Sequence, residues 1–255
     1  MIFAKTDRRA LILVGALLAL VHAPASAAPA PRDAIAGRWD QPAAMTFSNP
    51  RNAEERYNVT PASGMVHQPV LPIFTPAYSA IYSERLRSQL AGRTVADPTA
   101  NCLPPGLPRM MLAPFPIQVV VTPDEVLVLA EYMSQVRRIY TDGRGHPADP
   151  DPTFNGHSIG RWEGDTLVVD TVALRGDTSV DVTLIPHSDR LHVIERMRRV
   201  ADGLEIYTRL EDPLAFAQPW ETTKVYRPLR GEMLEYVCEE NNRNASDSEG
   251  VTGIQ

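Results

Sequence analysis

The sequence predicts an all-β fold: an antiparallel meander that closes into a barrel, with an extended N-terminal arm and one short helix. Three observations carry this. From Ile117 onward apolar and polar residues alternate in short runs, the period of a strand whose side chains point to opposite faces. The runs are separated by Asp142-Gly143, Gly164-Asp165 and Asp202-Gly203, dipeptides that suit the positive-φ positions of tight hairpin turns. Proline spacing between Asp97 and Pro116 forbids a helix or a central strand there.

Residues 1–27 read as an export signal. Lys5, Arg8 and Arg9 make its positive start, Ala10–Val21 its apolar stretch, and Ala25-Ser26-Ala27 its small-residue cleavage site. The apolar stretch is too short to span a membrane. Arg8-Arg9 has a twin-arginine look, but the flanking residues fit an ordinary secretory signal better. The remainder is long enough for one sizeable core. The whole chain carries a formal charge of −6, and an acidic chain without a basic block is a poor binder of nucleic acid or of an anionic membrane. No stable membrane anchor is expected. Periplasmic or secreted localisation follows.

The segment 28–96 is an arm and a helix. Its first part is rich in Pro, Ala, Asn and Ser, with Arg38-Trp39 and Val70–Phe74 as isolated apolar anchors. Thr75-Pro76 then opens a helix, Thr as N-cap and Pro at the first helical position. Tyr78, Ile81, Tyr82, Leu86, Gln89 and Leu90 keep helical spacing, and Gly92 stops it. Residues 97–240 are the barrel domain. Its strands are read at 117–121, 125–131, 135–140, 159–162, 166–171, 192–200, 204–211, 222–226 and 232–238. So many strands joined by tight turns are best relieved of free edges by closure, as in a lipocalin-like barrel able to hold one small ligand. Residues 241–255 form a polar tail without expected structure. Cys102 and Cys238 are the two cysteines. In an exported chain an even count favours a disulfide over a catalytic thiol.

Several motifs stand in a fixed order: Asn-Cys-Leu-Pro-Pro-Gly-Leu-Pro-Arg at 101–109, Tyr-Thr-Asp-Gly-Arg-Gly-His-Pro at 140–147, Gly-His-Ser-Ile-Gly-Arg-Trp-Glu-Gly-Asp-Thr-Leu-Val-Val-Asp-Thr at 156–171, Pro-His-Ser-Asp-Arg-Leu-His-Val-Ile-Glu-Arg at 186–196, and Tyr-Val-Cys-Glu-Glu-Asn at 236–241. Together they resemble a family of exported bacterial proteins, frequent in sphingomonads and acidobacteria, to which no settled activity belongs. The likeness covers roughly residues 70–245. It implies an exported single-domain protein and brings no substrate, cofactor or residue role with it.

Candidate chemistry is read from the residues alone. Glu195 shares a strand face with Leu191, Val193 and Met197. A carboxylate on that inward face is either an acid/base group with a raised pKa or half of an ion pair with an arginine from a neighbouring strand, such as Arg138. His146, His157 and His187 sit in or beside loops and suit acid/base work. The expected catalytic set is Glu195, His157, His187 and Arg138. The expected ligand contacts are Asp142, Arg144, His146, Trp162 and Arg196. No histidine pair has a metal-protease spacing, the acidic loop around Asp142 does not follow the calcium pattern, and no phosphate loop, dinucleotide fingerprint or haem motif is present. No metal and no organic cofactor is expected. His157-Ser158 lacks a nucleophile elbow, which argues against a serine hydrolase. Two functions remain. One is acid/base catalysis of the lyase, isomerase or hydratase type on a small, largely apolar, possibly aromatic molecule in the barrel cavity. The other is a carrier for such a molecule.

Overall fold

The computed structural model describes residues 31–41, 71–201, 203–241, 248 and 253–254. The export segment 1–27, Asp202 of one predicted turn and most of the tail lie outside the described residues. The strands are β1 (Gly37–Asp40), β2 (Val95–Ala96), β3 (Ile117–Val121), β4 (Glu125–Ala130), β5 (Gln135–Tyr140), β6 (His157–Glu163), β7 (Thr166–Val172), β8 (His192–Val200), β9 (Gly203–Glu211), β10 (Trp220–Pro228) and β11 (Gly253–Ile254). Nine of them close into a barrel in the order β1-β10-β9-β8-β7-β6-β5-β4-β3. The expected all-β barrel is therefore present.

Alternation explains its core. Val126 and Val128, Leu167 and Val169, Val193 and Met197, and Leu204 and Ile206 point inward and are fully or almost fully buried. The lumen is filled by these side chains together with Trp39, Ile139 and Tyr226. The phenolic O–H of Tyr226 donates to the Met111 carbonyl, which ties the buried turn α2 (Arg109–Leu112) to the barrel.

Five readings of the sequence need correction. Proline spacing does not keep helix out of 97–116, where α2 forms directly after Pro108. The meander is not antiparallel throughout, because β5 and β6 pair in parallel, Ile139 opposite Ser158 and Tyr140 opposite Ile159. Arg38-Trp39 does not belong to an arm laid over the domain; it is part of β1, which sits between β3 and β10. Residues 232–238 are not a strand. They form a strap whose backbone bonds to side chains: Leu234 N–H donates to the Glu131 carboxylate at 2.7 Å, and Tyr236 C=O accepts from Ser134 Oγ at 2.9 Å. Part of the tail is also structured, since β11 pairs with β2.

The expected helix is found as α1 (Pro76–Leu90). Its contacts differ from expectation. Thr75 makes no side-chain cap, its hydroxyl donating instead to the Leu214 carbonyl at 2.6 Å. Ile81, Leu86 and Leu90 are exposed, while Tyr78 and Tyr82 pack against the core and Arg85 donates to Ser179 Oγ and the Leu184 carbonyl. Cys102 and Cys238 form a disulfide with Cα atoms 5.6 Å apart, which pins the Pro-rich loop to the end of the strap.

Candidate functional site

The parallel seam is short, and the chain explains why. Before β6 the segment 153–156 turns away from β5 and bonds elsewhere. Thr153 N–H donates to Ala173 O, Arg175 N–H to Thr153 O, and Leu107 N–H to Phe154 O. Gly156 makes the turn at φ +64°, where a Cβ would stand 2.5 Å from the Val172 carbonyl oxygen, so only glycine fits. Residues 135–138 of β5 are left facing 153–156 across a gap. That gap is a crevice of about 370 Å³. Pro104, Val136, Tyr140 and Phe154 give it apolar walls; Gln135, Arg138, Asn155 and His157 supply polar groups, and Arg137 and Ser158 form part of its floor.

On the outer face beside the crevice lies a chain of hydrogen bonds. Residues 157, 170 and 192 point outward, on the strand face opposite to Ser158, Thr171 and Val193. The loop 141–156 lays His146 over them. His146 Nε2 is 3.0 Å and His192 Nε2 is 2.9 Å from the same oxygen, Asp170 Oδ1. His146 Nδ1 is 2.8 Å from His157 Nδ1. With both rings neutral, the network sets the tautomers. His146 donates Nε2–H to the carboxylate, so its Nδ1 is an acceptor and His157 donates Nδ1–H to it. His157 Nε2 is then a lone pair. Burial first, then the His146 ring and the Arg144 guanidinium, hold His157 below the usual imidazole range. The neutral, basic form is therefore the resting one at neutral pH. Such an arrangement can take a proton at Nε2 and share the resulting charge with His146 and Asp170.

A second polar cluster lies across the wall, inside the barrel. Arg137 donates Nη1–H to Glu195 Oε1 at 3.1 Å and Nη2–H to Glu195 Oε2 at 2.5 Å. The same guanidinium reaches Thr171 Oγ1 at 3.0 Å and Ser158 Oγ at 3.3 Å. Both side chains of the pair are 1% exposed. This is a bidentate, fully buried ion pair, with Nε–H and the second Nη2–H bonded to hydroxyls.

Comparison with protein-family models, with curated proteins and with solved structures returned no match. The geometry is what speaks to function.

It distributes the expected site residues as follows. Glu195 does face inward, but its partner is Arg137 and not Arg138. Arg138 projects to the outer face, lines the crevice and pairs with Glu125 at 2.9 Å. His146 and His157 come together at the crevice. His187 does not join them. It is buried in the β7–β8 connection, where Nδ1 donates to Ser188 O at 2.9 Å and Nε2 meets Thr178 Oγ1 at 2.8 Å. Asp142 and Arg144 pair with each other in an exposed turn, and Arg144 stacks over Tyr140 at 4.0 Å. Trp162 points into the barrel and packs against the core. Arg196 lies outside, bonded to Glu163 at 2.9 Å. Sequence reasoning missed Arg137, Asp170, His192 and Asn155. Arg137-Arg138 places one guanidinium on each face of a strand; the sequence sets Ile139 on one face and Val136 and Tyr140 on the other, and the burial of Ile139 in the fold puts the Arg137 face inward. Asp170 interrupts an apolar run, a visible signal whose meaning needs the register with β8. Among the described residues no group of three or more His, Cys, Asp or Glu side chains is arranged to hold a metal ion.

Proposed function

We propose that the protein is an acid/base catalyst of the lyase, isomerase or hydratase type, acting on a small, largely apolar, aromatic molecule held in the seam crevice. The observation that carries this reading is the Asp170–His146–His157 chain, which ends in an unprotonated Nε2 on a residue of the crevice wall. His157 takes the proton, His146 fixes its tautomer, and Asp170 steadies the charge that appears. Glu195 has a structural part here, as the partner of Arg137. The work is done outside the cytoplasm, where the segment 1–27 would take the chain and where a disulfide persists. No described helix is long and apolar enough to cross a membrane.

The test is a turnover screen over small aromatic and terpenoid compounds with three proteins: wild type, His157→Gln and Asp170→Asn. Turnover by wild type should fall ~100-fold or more in His157→Gln, with affinity little changed. Asp170→Asn should fall less and shift the acidic limb of the pH profile. A compound that binds at the crevice while no compound of the panel is turned over would make the protein a carrier.

A further inference from the structure

We infer that His146 latches the loop 141–156 to the barrel wall and that acid releases it, because the His146–His157 contact accommodates one added proton and not two. This goes beyond the catalytic reading, since a latch needs no substrate. The middle of the loop has little else to hold it. Pro147, Pro150 and Pro152 have no N–H to donate. Among the described residues, the hydrogen bonds from 145–152 to the barrel are all made by the His146 ring, to Asp170 and His157. The two ends are fastened separately. Thr141 N–H donates to Asp124 O, Arg144 stacks over Tyr140, and Thr153 bonds to Ala173 and Arg175. Residues 142–145 and 147–149 are exposed, and His146 alone among them turns inward, its side chain 21% exposed. What His146 does therefore decides where residues 145–152 lie.

Counting protons shows when the latch holds. With both rings neutral, one Nδ1 donates and the other accepts across 2.8 Å. One added proton is tolerated. On His157 Nε2 it leaves the Nδ1 bond unchanged. On His146 it gives a ring that donates to Asp170 on one side and, once His157 carries its own proton on Nε2, to His157 Nδ1 on the other. A second proton sets N–H against N–H at that spacing, on two cationic rings. The surroundings do not offset this. Among the described residues no carboxylate is bonded to His157, whose charged neighbours are His146 and Arg144. Asp142 is taken by Arg144, and the Tyr140 ring beside His157 is uncharged. Asp170 faces His146 but is shared with His192 Nε2 at 2.9 Å. Glu211 stands 3.7 Å from His192 Nδ1 and is bonded to Arg209. A released loop lets both rings hold their protons in water, so release is favoured as pH falls, between about pH 6.5 and 5. With His146 lifted away, His157 loses the acceptor that fixes its tautomer.

The experiment is backbone amide NMR relaxation on the full chain at about pH 7.5 and 5, without any ligand. In wild type the order parameters of Gly145, His146, Ala148, Asp149 and Asp151 should fall from about 0.85 to below about 0.6, while Val126, Val128 and Leu167 stay rigid. In His157→Gln the loop should stay ordered at pH 5, because His146 can then be charged without facing a second cation and still reach Asp170. His146→Ala should be mobile at both pH values. His192→Gln should release like wild type, since the trigger lies in the other pair. A wild-type loop equally ordered at both pH values would overturn the inference. So would release that persists in His157→Gln or vanishes in His192→Gln, an ordered loop in His146→Ala, or a barrel that loosens in the same step as the loop. Failure here leaves the catalytic reading standing, because no turnover is measured, and absence of turnover leaves the latch standing.

Discussion

Glu195 and Arg137 are each useful to the fold only while the other is charged. Both are buried, and each Glu195 oxygen meets the guanidinium. Glu195→Gln keeps shape but leaves a cation in the barrel interior without its counter-charge. The expected loss is about 3–5 kcal/mol in chemical denaturation. The double change Arg137→Met with Glu195→Leu should lose much less than Glu195→Gln, because no charge is then stranded. A single variant as stable as wild type would mean that the pair contributes nothing. Alternation was enough to read Glu195 as inward. It was not enough to choose between Arg137 and Arg138, since neighbouring residues on a strand always take opposite faces and the chain shows only that one of them goes in. His157, by contrast, was legible as a type and not as an arrangement: its tautomer depends on Asp170, which the register of β6 with β7 brings opposite Ile159.

The β6–β7 hairpin shows what local sequence settles. Glu163 pairs with Thr166 across Gly164-Asp165, and Gly164 sits at φ +63°. A Cβ there would meet nothing within 4 Å, so the cost of a side chain is purely conformational. Gly164→Val should therefore destabilise by about 1–3 kcal/mol without altering the packed core, measured as a drop in denaturation midpoint with an unchanged slope. An unchanged midpoint would show that the turn tolerates the strain. Turns of this kind made most of the barrel readable. β1 was not, because four residues give too little alternation to count and its partners β3 and β10 are remote in sequence. The run 232–238 follows a turn signal and carries strand-forming residues, yet finds Glu131 and Ser134 instead of a neighbouring ladder. Period alone reports that a segment is extended and says nothing about what it pairs with.

For the whole molecule, buried histidines set how stability varies with pH. Burial holds both His187 and His157 below their unfolded value of 6.5. Between their folded pKa values and about 6.5 the unfolded chain binds more protons than the folded one, so stability rises with pH in that window. It is present in full above about 6.5 and lost as pH falls below it. Urea denaturation at about pH 7.5, 6.5 and 5.5 should show this fall in wild type, and a shallower fall in His187→Asn. Parallel curves for the two proteins would remove His187 from the account. Nothing in the sequence forecast this: Thr178 and Ser188 bond His187 from within its own connection, but Asp212 reaches Ser188 from beyond β9 and α1 packs Arg85 against the same connection.

The place of the crevice has a cause in parity. Strand directions can alternate all the way round a closed barrel only if the strand number is even. With nine, somewhere on the ring two neighbours must run the same way, and here they are β5 and β6. A tight turn cannot join two such neighbours, since the chain has to travel back the length of the barrel first. The loop 141–156 is that return journey, and it carries His146, Phe154 and Asn155 to the parallel joint, which two residue pairs stitch. The ninth strand is β1, on the far side of the ring. By making the number odd it obliges the barrel to have a seam, and at that seam the wall opens into the crevice.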